Sequence, residues 1–180
     1  MRKWYPGLLA GFMSINLFTV TYVVAGGREA LSLWLSYATL IFYIGAAYWA
    51  AKRSPQFEVA PPPTQAPLNA RIEKPVVGRV RFRPALKAAF GNYVLGLVVW
   101  YGFIYLMFNY VDTDLLTLDQ QLTMERLEQF GGFESERDRL QFMEQTYGYG
   151  LSDALLGLAR SSIMGFVFAF GAAFVVSWER

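Results

Sequence analysis

The chain has 180 residues, of which 54% are hydrophobic and 17% aromatic, and it carries a net charge of +2 with neither histidine nor cysteine. Without histidine a haem or metal site is not expected, and without cysteine there is neither a disulfide nor a thiol ligand. The sequence also lacks a nucleotide-binding loop, zinc-ligand spacing and a nucleophile–base pair. We therefore expect no catalytic residue, no metal site, no cofactor and no nucleic-acid partner.

Four windows contain no charged residue: 4–27, 30–51, 88–111 and 161–178, with 24, 22, 24 and 18 residues. A helix rises 1.5 Å per residue and a bilayer core is about 30 Å thick, so each window can cross a membrane. The pattern predicts an all-α integral membrane protein. We expect a single membrane domain over residues 1–180, with spans at about 7–25, 30–51, 86–111 and 154–178.

The first span is the most polar, because it contains Ser14, Asn16, Thr19 and Thr21. Asn16 lies near its middle, and we expect it to face a neighbouring helix, where a hydrogen bond is worth about 1 kcal/mol or less. Gly7 and Gly11 form a small-xxx-small pair that favours close helix approach. The apolar stretch is longer than a signal-peptide core, so we expect a retained span here.

The second span follows a turn of only four residues, Gly26-Gly27-Arg28-Glu29, which predicts an antiparallel hairpin. Aromatic residues lie near both ends of this span, namely Trp34, Tyr37, Tyr48 and Trp49. Their positions are typical of interface anchors.

The connection 52–85 contains seven of the eight prolines and has a net charge of +6 from residue 52 to residue 87. Proline excludes regular helix there, and basic loops remain on the cytoplasmic side. Three arginines, Arg79, Arg81 and Arg83, alternate with Val80 and Phe82. This alternation predicts contact with anionic lipid or with a partner.

The third span begins near Pro84, which we place in its first helical turn. Asn92 lies near one end of this span and Trp100 near its middle. Tryptophan at that depth needs a partner for its indole N–H or packs in a helix interface.

The connection 112–153 has a net charge of −7, and we expect it on the outer side. Thr117 to Gln120 matches a capping box and predicts an amphipathic helix to about Phe130. A second short helix is predicted between Ser135 and Tyr147. The predicted fold is therefore four transmembrane helices in two antiparallel hairpins, with an amphipathic helical segment in the outward loop.

The fourth span contains Asp153 and Arg160, seven residues apart and hence on one helix face. Arg160 can extend toward the interface or pair structurally. The alternative is a role in binding an acidic lipid, a quinone-like head group or a substrate.

The whole pattern resembles a family of small bacterial membrane proteins described only as a domain of unknown function. The resemblance rests on an N-terminal hairpin, the stretch Arg81-Phe82-Arg83-Pro84-Ala85-Leu86-Lys87-Ala88-Ala89-Phe90, and an outward segment with Met124, Glu125 and Met143-Glu144-Gln145. The proline-rich connection is longer than this family pattern implies. The resemblance implies the fold and carries no function.

We expect a non-catalytic accessory or structural subunit of a larger bacterial membrane complex, of the respiratory or energy-transducing kind. The location would be the inner membrane, with both termini cytoplasmic and with lipid and other subunits as partners. The alternatives are a small transporter or channel, or a lipid- or quinone-binding protein that uses Arg160 and Asp153. We predict lipid or partner contacts at Arg79, Arg81, Arg83, Asn16, Asn92, Trp100, Asp153 and Arg160.

Overall fold

The structure is a computed structural model that describes residues 4–54, 82–129 and 149–178. Every regular element in these residues is helical. The elements are α1 (Tyr5–Ala25), α2 (Gly27–Ala30), α3 (Leu33–Lys52), α4 (Phe82–Leu106), a π-helical turn (Met107–Val111), α5 (Asp114–Gln129) and α6 (Leu151–Trp178). The prediction of an all-α chain is confirmed. The proline-rich stretch before residue 82 and the predicted helix from Ser135 to Tyr147 lie outside the described residues.

Four helices are long and apolar enough to cross a membrane: α1, α3, α4 with its π-helical turn, and α6, with 21, 20, 30 and 28 residues. At 1.5 Å per residue, even the shortest extends about 30 Å. The prediction of a polytopic membrane protein is confirmed. The second span begins at Leu33 and not at residue 30, because Gly27–Ala30 forms the separate short helix α2. The third begins at Phe82, so Pro84 lies in its first turn.

Helix α4 lies at the centre of the bundle and packs against α1, α3 and α6. Glycine allows the closest of these approaches. A Cβ atom added at Gly7 would overlap the backbone carbonyl of Asn92, and one added at Gly11 would lie 2.9 Å from Cβ of Val99. On α4, a Cβ atom added at Gly96 would lie 2.9 Å from the carbonyl oxygen of Gly7. The expectation of close approach at Gly7 and Gly11 is confirmed.

One end of the bundle is packed through small residues from α3, α4 and α6. The buried members are Ala47, Ala51, Ala85, Ala89, Ala169, Ala173 and Val176. Alanine lets helix backbones approach closely, and in a membrane this van der Waals packing replaces the hydrophobic effect as the source of helix association. Aromatic rings cover the edge of this cluster. The rings of Phe82 and Phe170, for example, make an edge-to-face contact with their centroids 5.1 Å apart.

The opposite end is packed through large side chains, including Phe18, Leu35, Phe108 and Leu115. Leu115 belongs to α5, so the polar helix α5 is attached to the bundle by its own buried leucines. We call this end of the bundle the α5 end.

The predicted start of helix α5 was wrong by four residues, since a capping box at Thr117 places the first helical residue at 118. The helix begins at Asp114, and the Asp112 carboxylate accepts the backbone N–H of Asp114 at 3.1 Å. Thr117 already lies inside the first turn, where its hydroxyl donates to the carbonyl of Asp114 at 3.1 Å. The aspartates ahead of Thr117 therefore satisfy the helix N-terminus, and the capping box is not used.

Candidate functional site

Asn92 lies inside the bundle, with only 1% of its surface exposed. Its Oδ1 atom accepts the backbone N–H of Gly7 at 3.0 Å, and its Nδ2 atom donates to the carbonyl of Ala88 at 2.9 Å. The N–H groups in the first turn of a helix have no partner within that helix, and Trp4, at the N-cap of α1, supplies no side-chain bond. Asn92 therefore caps α1 from a different helix. Sequence reasoning singled out this residue but not this role.

Trp100 is half-buried and packs in a helix interface, which is one of the two environments expected for it. Its ring lies 5.8 Å from that of Phe18 and 6.0 Å from that of Phe103. Phe18 belongs to α1 and is almost fully buried. Trp100 thus joins α4 to α1 through an aromatic cluster.

Hydroxyl groups from all four long helices meet within the bundle. The hydroxyls of Tyr101 and Ser161 lie 2.7 Å apart and join α4 to α6. Tyr43 is buried beside Ser14, but its hydroxyl has no hydrogen bond within normal geometric limits. Ser14 itself donates to the carbonyl of Ala10 at 2.9 Å. Sequence reasoning missed this cluster, because the tyrosines are far apart in the chain.

Only one of the three alternating arginines predicted to contact lipid or a partner lies within the described residues. Arg83 lies exposed in the first turn of α4, whereas Arg79 and Arg81 fall outside the described residues. No acidic residue accompanies Arg83 in that first turn.

Asp153 and Arg160 act separately. The Asp153 carboxylate accepts the backbone N–H of Gly150 at 2.8 Å and so satisfies the N-terminus of α6. Arg160 is exposed two turns further along the same helix. Asp153 is therefore engaged at the helix end.

Several polar contacts hold α5 against the rest of the α5 end. Tyr22 donates to the Asp112 carboxylate at 2.5 Å, and the Arg126 guanidinium donates to the carbonyl of Leu31 at 2.9 Å. Arg28 and Glu125 form an exposed ion pair at 2.9 Å. Exposed ion pairs contribute little to stability, so the two half-buried bonds matter more.

Burial raises the pKa of Asp119, a half-buried residue of α5, and the nearby positive charge of Arg126 offsets this only in part. Burial also raises the pKa of Tyr149 to about 12, with the Tyr101 and Asp119 charges adding to the shift. The Tyr149 hydroxyl therefore remains neutral. The backbone carbonyl of Tyr149 accepts a hydrogen bond from the Asn109 side-chain amide at 3.0 Å.

The raised pKa of Asp119 predicts a pH dependence of stability. The folded state holds this proton more tightly than the unfolded state, so stability falls as pH rises through the two pKa values. We expect Asp119→Asn to raise the unfolding temperature at pH 7 and to have no such effect at about pH 3, below both pKa values. The control Asp114→Asn should lose stability at pH 7, because that carboxylate lies favourably at a helix N-terminus. A gain from Asp119→Asn that persists in full at about pH 3 would contradict the prediction.

Asn16 is exposed and faces away from the helices of its own bundle. Its Nδ2 atom donates to the carbonyl of Phe12, one turn earlier in α1, at 2.9 Å. Asn16 forms no hydrogen bond to another helix among the described residues, because the glycine face of α1 packs on α4 and turns Asn16 outward. The expectation that Asn16 faces a neighbouring helix stays a prediction. Phe12, Thr19 and Val23 are exposed beside it. We call Phe12, Asn16, Thr19 and Val23 the Asn16 face.

Among the described residues, no three carboxylates are placed to hold a metal ion. No family model matches the chain, and neither the curated proteins nor the solved structures provide a match.

Proposed function

We propose that the chain is a non-catalytic accessory or structural subunit of a larger bacterial membrane complex, of the respiratory or energy-transducing kind. The Asn16 face carries this proposal. A carboxamide exposed halfway along a membrane-spanning helix is expensive against lipid, and a neighbouring subunit can satisfy it with a hydrogen bond.

The depth of Asn16 supports a protein partner over water. Asn16 is the twelfth of the 21 residues of α1, about 16 Å along the helix from its first residue. This position is close to the middle of a hydrocarbon core of about 30 Å. The bond to Phe12 uses only one N–H of the amide. Its carbonyl oxygen and second N–H remain for a group outside the described residues.

The spacing of the Asn16 face fits a second helix. Its members recur at intervals of four, three and four residues, the pattern by which one helix presents a seam to another. Phe12 and Val23 supply apolar surface on either side of the polar pair Asn16 and Thr19. A single polar residue within such a seam favours one register of association over others.

The proposed architecture is two antiparallel hairpins, α1 with α3 and α4 with α6, with an amphipathic helical segment in the loop on the α5 end. Contacts at matching ends support it: the rings of Tyr5 and Trp49 lie 6.2 Å apart, and those of Phe108 and Tyr149 lie 5.1 Å apart. The basic connection with its net charge of +6 supports an orientation with both termini cytoplasmic, and we propose the inner membrane as the location.

Cysteine labelling tests this orientation, since the chain has no cysteine of its own. We expect Thr64→Cys to react with a membrane-impermeant maleimide only after the cells are opened. Gln121→Cys, on the exposed side of α5, should react in intact cells whose outer membrane has been permeabilised. The opposite pattern would contradict the proposed orientation.

Substitution of Asn16 tests the assembly. We expect Asn16→Leu to reduce the fraction of chain found in its complex, with an association constant about 3- to 30-fold lower, because one interhelical hydrogen bond in a membrane is worth about 0.6 to 2 kcal/mol. Native mass measurement after gentle detergent extraction gives that fraction. The stability of the isolated chain should be unchanged.

Ser36→Leu is the matched control, since Ser36 is an exposed polar residue on α3, away from the Asn16 face. It should leave the complex intact. A wild-type chain extracted only as a monomer, or equal effects of the two substitutions, would overturn the accessory-subunit proposal.

A lipid- or quinone-binding role through Arg160 and Asp153 has less support. The carboxylate of Asp153 is occupied at the N-terminus of α6, and the two residues form no ion pair. Arg160 is the tenth residue of the 28-residue helix α6, so its long side chain can reach the membrane interface.

A further inference from the structure

An apolar groove runs between α1 and α4 at the end of the bundle opposite α5. It has a volume of about 590 Å³. Trp4 and Leu8 of α1 form one wall, and α4 supplies Gly91, Val94 and Val98 along the other. Among the residues that the structure describes, no polar side chain lines it. We call it the α1–α4 groove.

Gly91 lets the ring of Trp4 form one end of the groove. A Cβ atom at this position would lie 2.8 Å from the ring of Trp4, so the ring packs directly over the bare backbone of α4. From Gly91 to Val98 the groove extends about 10 Å along the helix, toward the middle of the membrane. The groove is therefore an apolar surface that runs along the helix axis.

Two basic side chains lie on the same face of α4 as the groove, beyond its end at Gly91. Lys87 lies one turn before Gly91 on the same face of α4, and Arg83 lies one turn before Lys87. Both side chains are exposed. Neither pairs with a carboxylate in the part of the chain that the structure describes, and the first turn of α4 contains no acidic residue.

We propose that the α1–α4 groove binds an anionic phospholipid, with one acyl chain along Leu8, Val94 and Val98 and with its phosphate at Lys87 and Arg83. The apolar lining fits a hydrocarbon chain and offers nothing to a polar ligand. The unpaired cations at one end fit a phosphate that is anchored to that chain. An apolar helix of another subunit would fill the groove but would leave both cations without a partner.

Titration with lipid, followed by native mass measurement of the purified full chain, tests the proposal. Phosphatidylglycerol is the anionic probe and phosphatidylcholine the zwitterionic one. We expect tighter binding of phosphatidylglycerol, and we expect Arg83→Gln and Lys87→Gln each to weaken it about fivefold. Lys52→Gln, which removes the same charge at the exposed end of α3, should not weaken it.

Val98→Trp should fill the groove and abolish binding of one lipid molecule. Val98 is half exposed, so the larger ring can be accommodated without disturbing the core. Ile41→Trp on the exposed face of α3 is the control for added bulk. Equal affinity for the two lipids, unchanged binding to Val98→Trp, or an equal effect of Lys52→Gln would each overturn the proposal. The test is independent of Asn16 and of any partner subunit.

Discussion

Gly7→Ala is expected to destabilise the bundle by about 3 kcal/mol, the upper part of the range for overpacking a well-packed interior. The added methyl group would overlap the backbone carbonyl of Asn92 on α4. A backbone atom cannot rotate away as a side chain can, so α1 and α4 must separate. That separation also lengthens the hydrogen bond from the Gly7 N–H to Asn92.

Thermal or denaturant unfolding of the purified chain in mild detergent measures this loss. Gly45→Ala is the matched control, because a Cβ atom at Gly45 in α3 meets nothing within 4 Å. It should be neutral or stabilising by up to about 1 kcal/mol, since alanine favours helix over glycine. Equal losses from the two substitutions would show that close approach at Gly7 does not hold the helices together.

Asn92→Leu is expected to destabilise the chain by about 1 to 3 kcal/mol. Leucine has the same branched arrangement of side-chain heavy atoms as asparagine but cannot accept the N–H of Gly7, which is then buried without a partner. The effect is the loss of a helix cap supplied by a neighbouring helix. The free energy of unfolding in detergent is the quantity to measure.

Asn16→Leu is the control for the chemistry of this change, since it makes the same replacement at an exposed position. We expect no loss of stability in the isolated chain, because Asn16 bonds only to its own helix within the described residues. The pair of substitutions thus separates a polar group that stabilises the fold from one available to a partner. Loss of stability from Asn16→Leu alone would reverse the two assignments.

Residue composition alone was enough to predict the membrane helices. Four uncharged windows correspond to α1, α3, α4 with its π-helical turn, and α6, because transfer of a helix into lipid depends on summed hydropathy over about 20 residues. The glycine pair of α1 was recognised by spacing for the same local reason. The helix boundaries were less predictable, since hydrogen bonds of single residues such as Asp112 decide them.

The sequence by itself therefore determined that the chain is helical, which stretches are long and apolar enough to span a bilayer, and how charge is divided between its connections. Only the tertiary structure decided that Asn92 points inward and Asn16 outward. Apolar residues surround α1 on nearly all sides, so periodicity does not identify its buried face. The rotation of α1 is set instead by the sterics of Gly7 and Gly11 against α4, a contact between residues more than eighty positions apart.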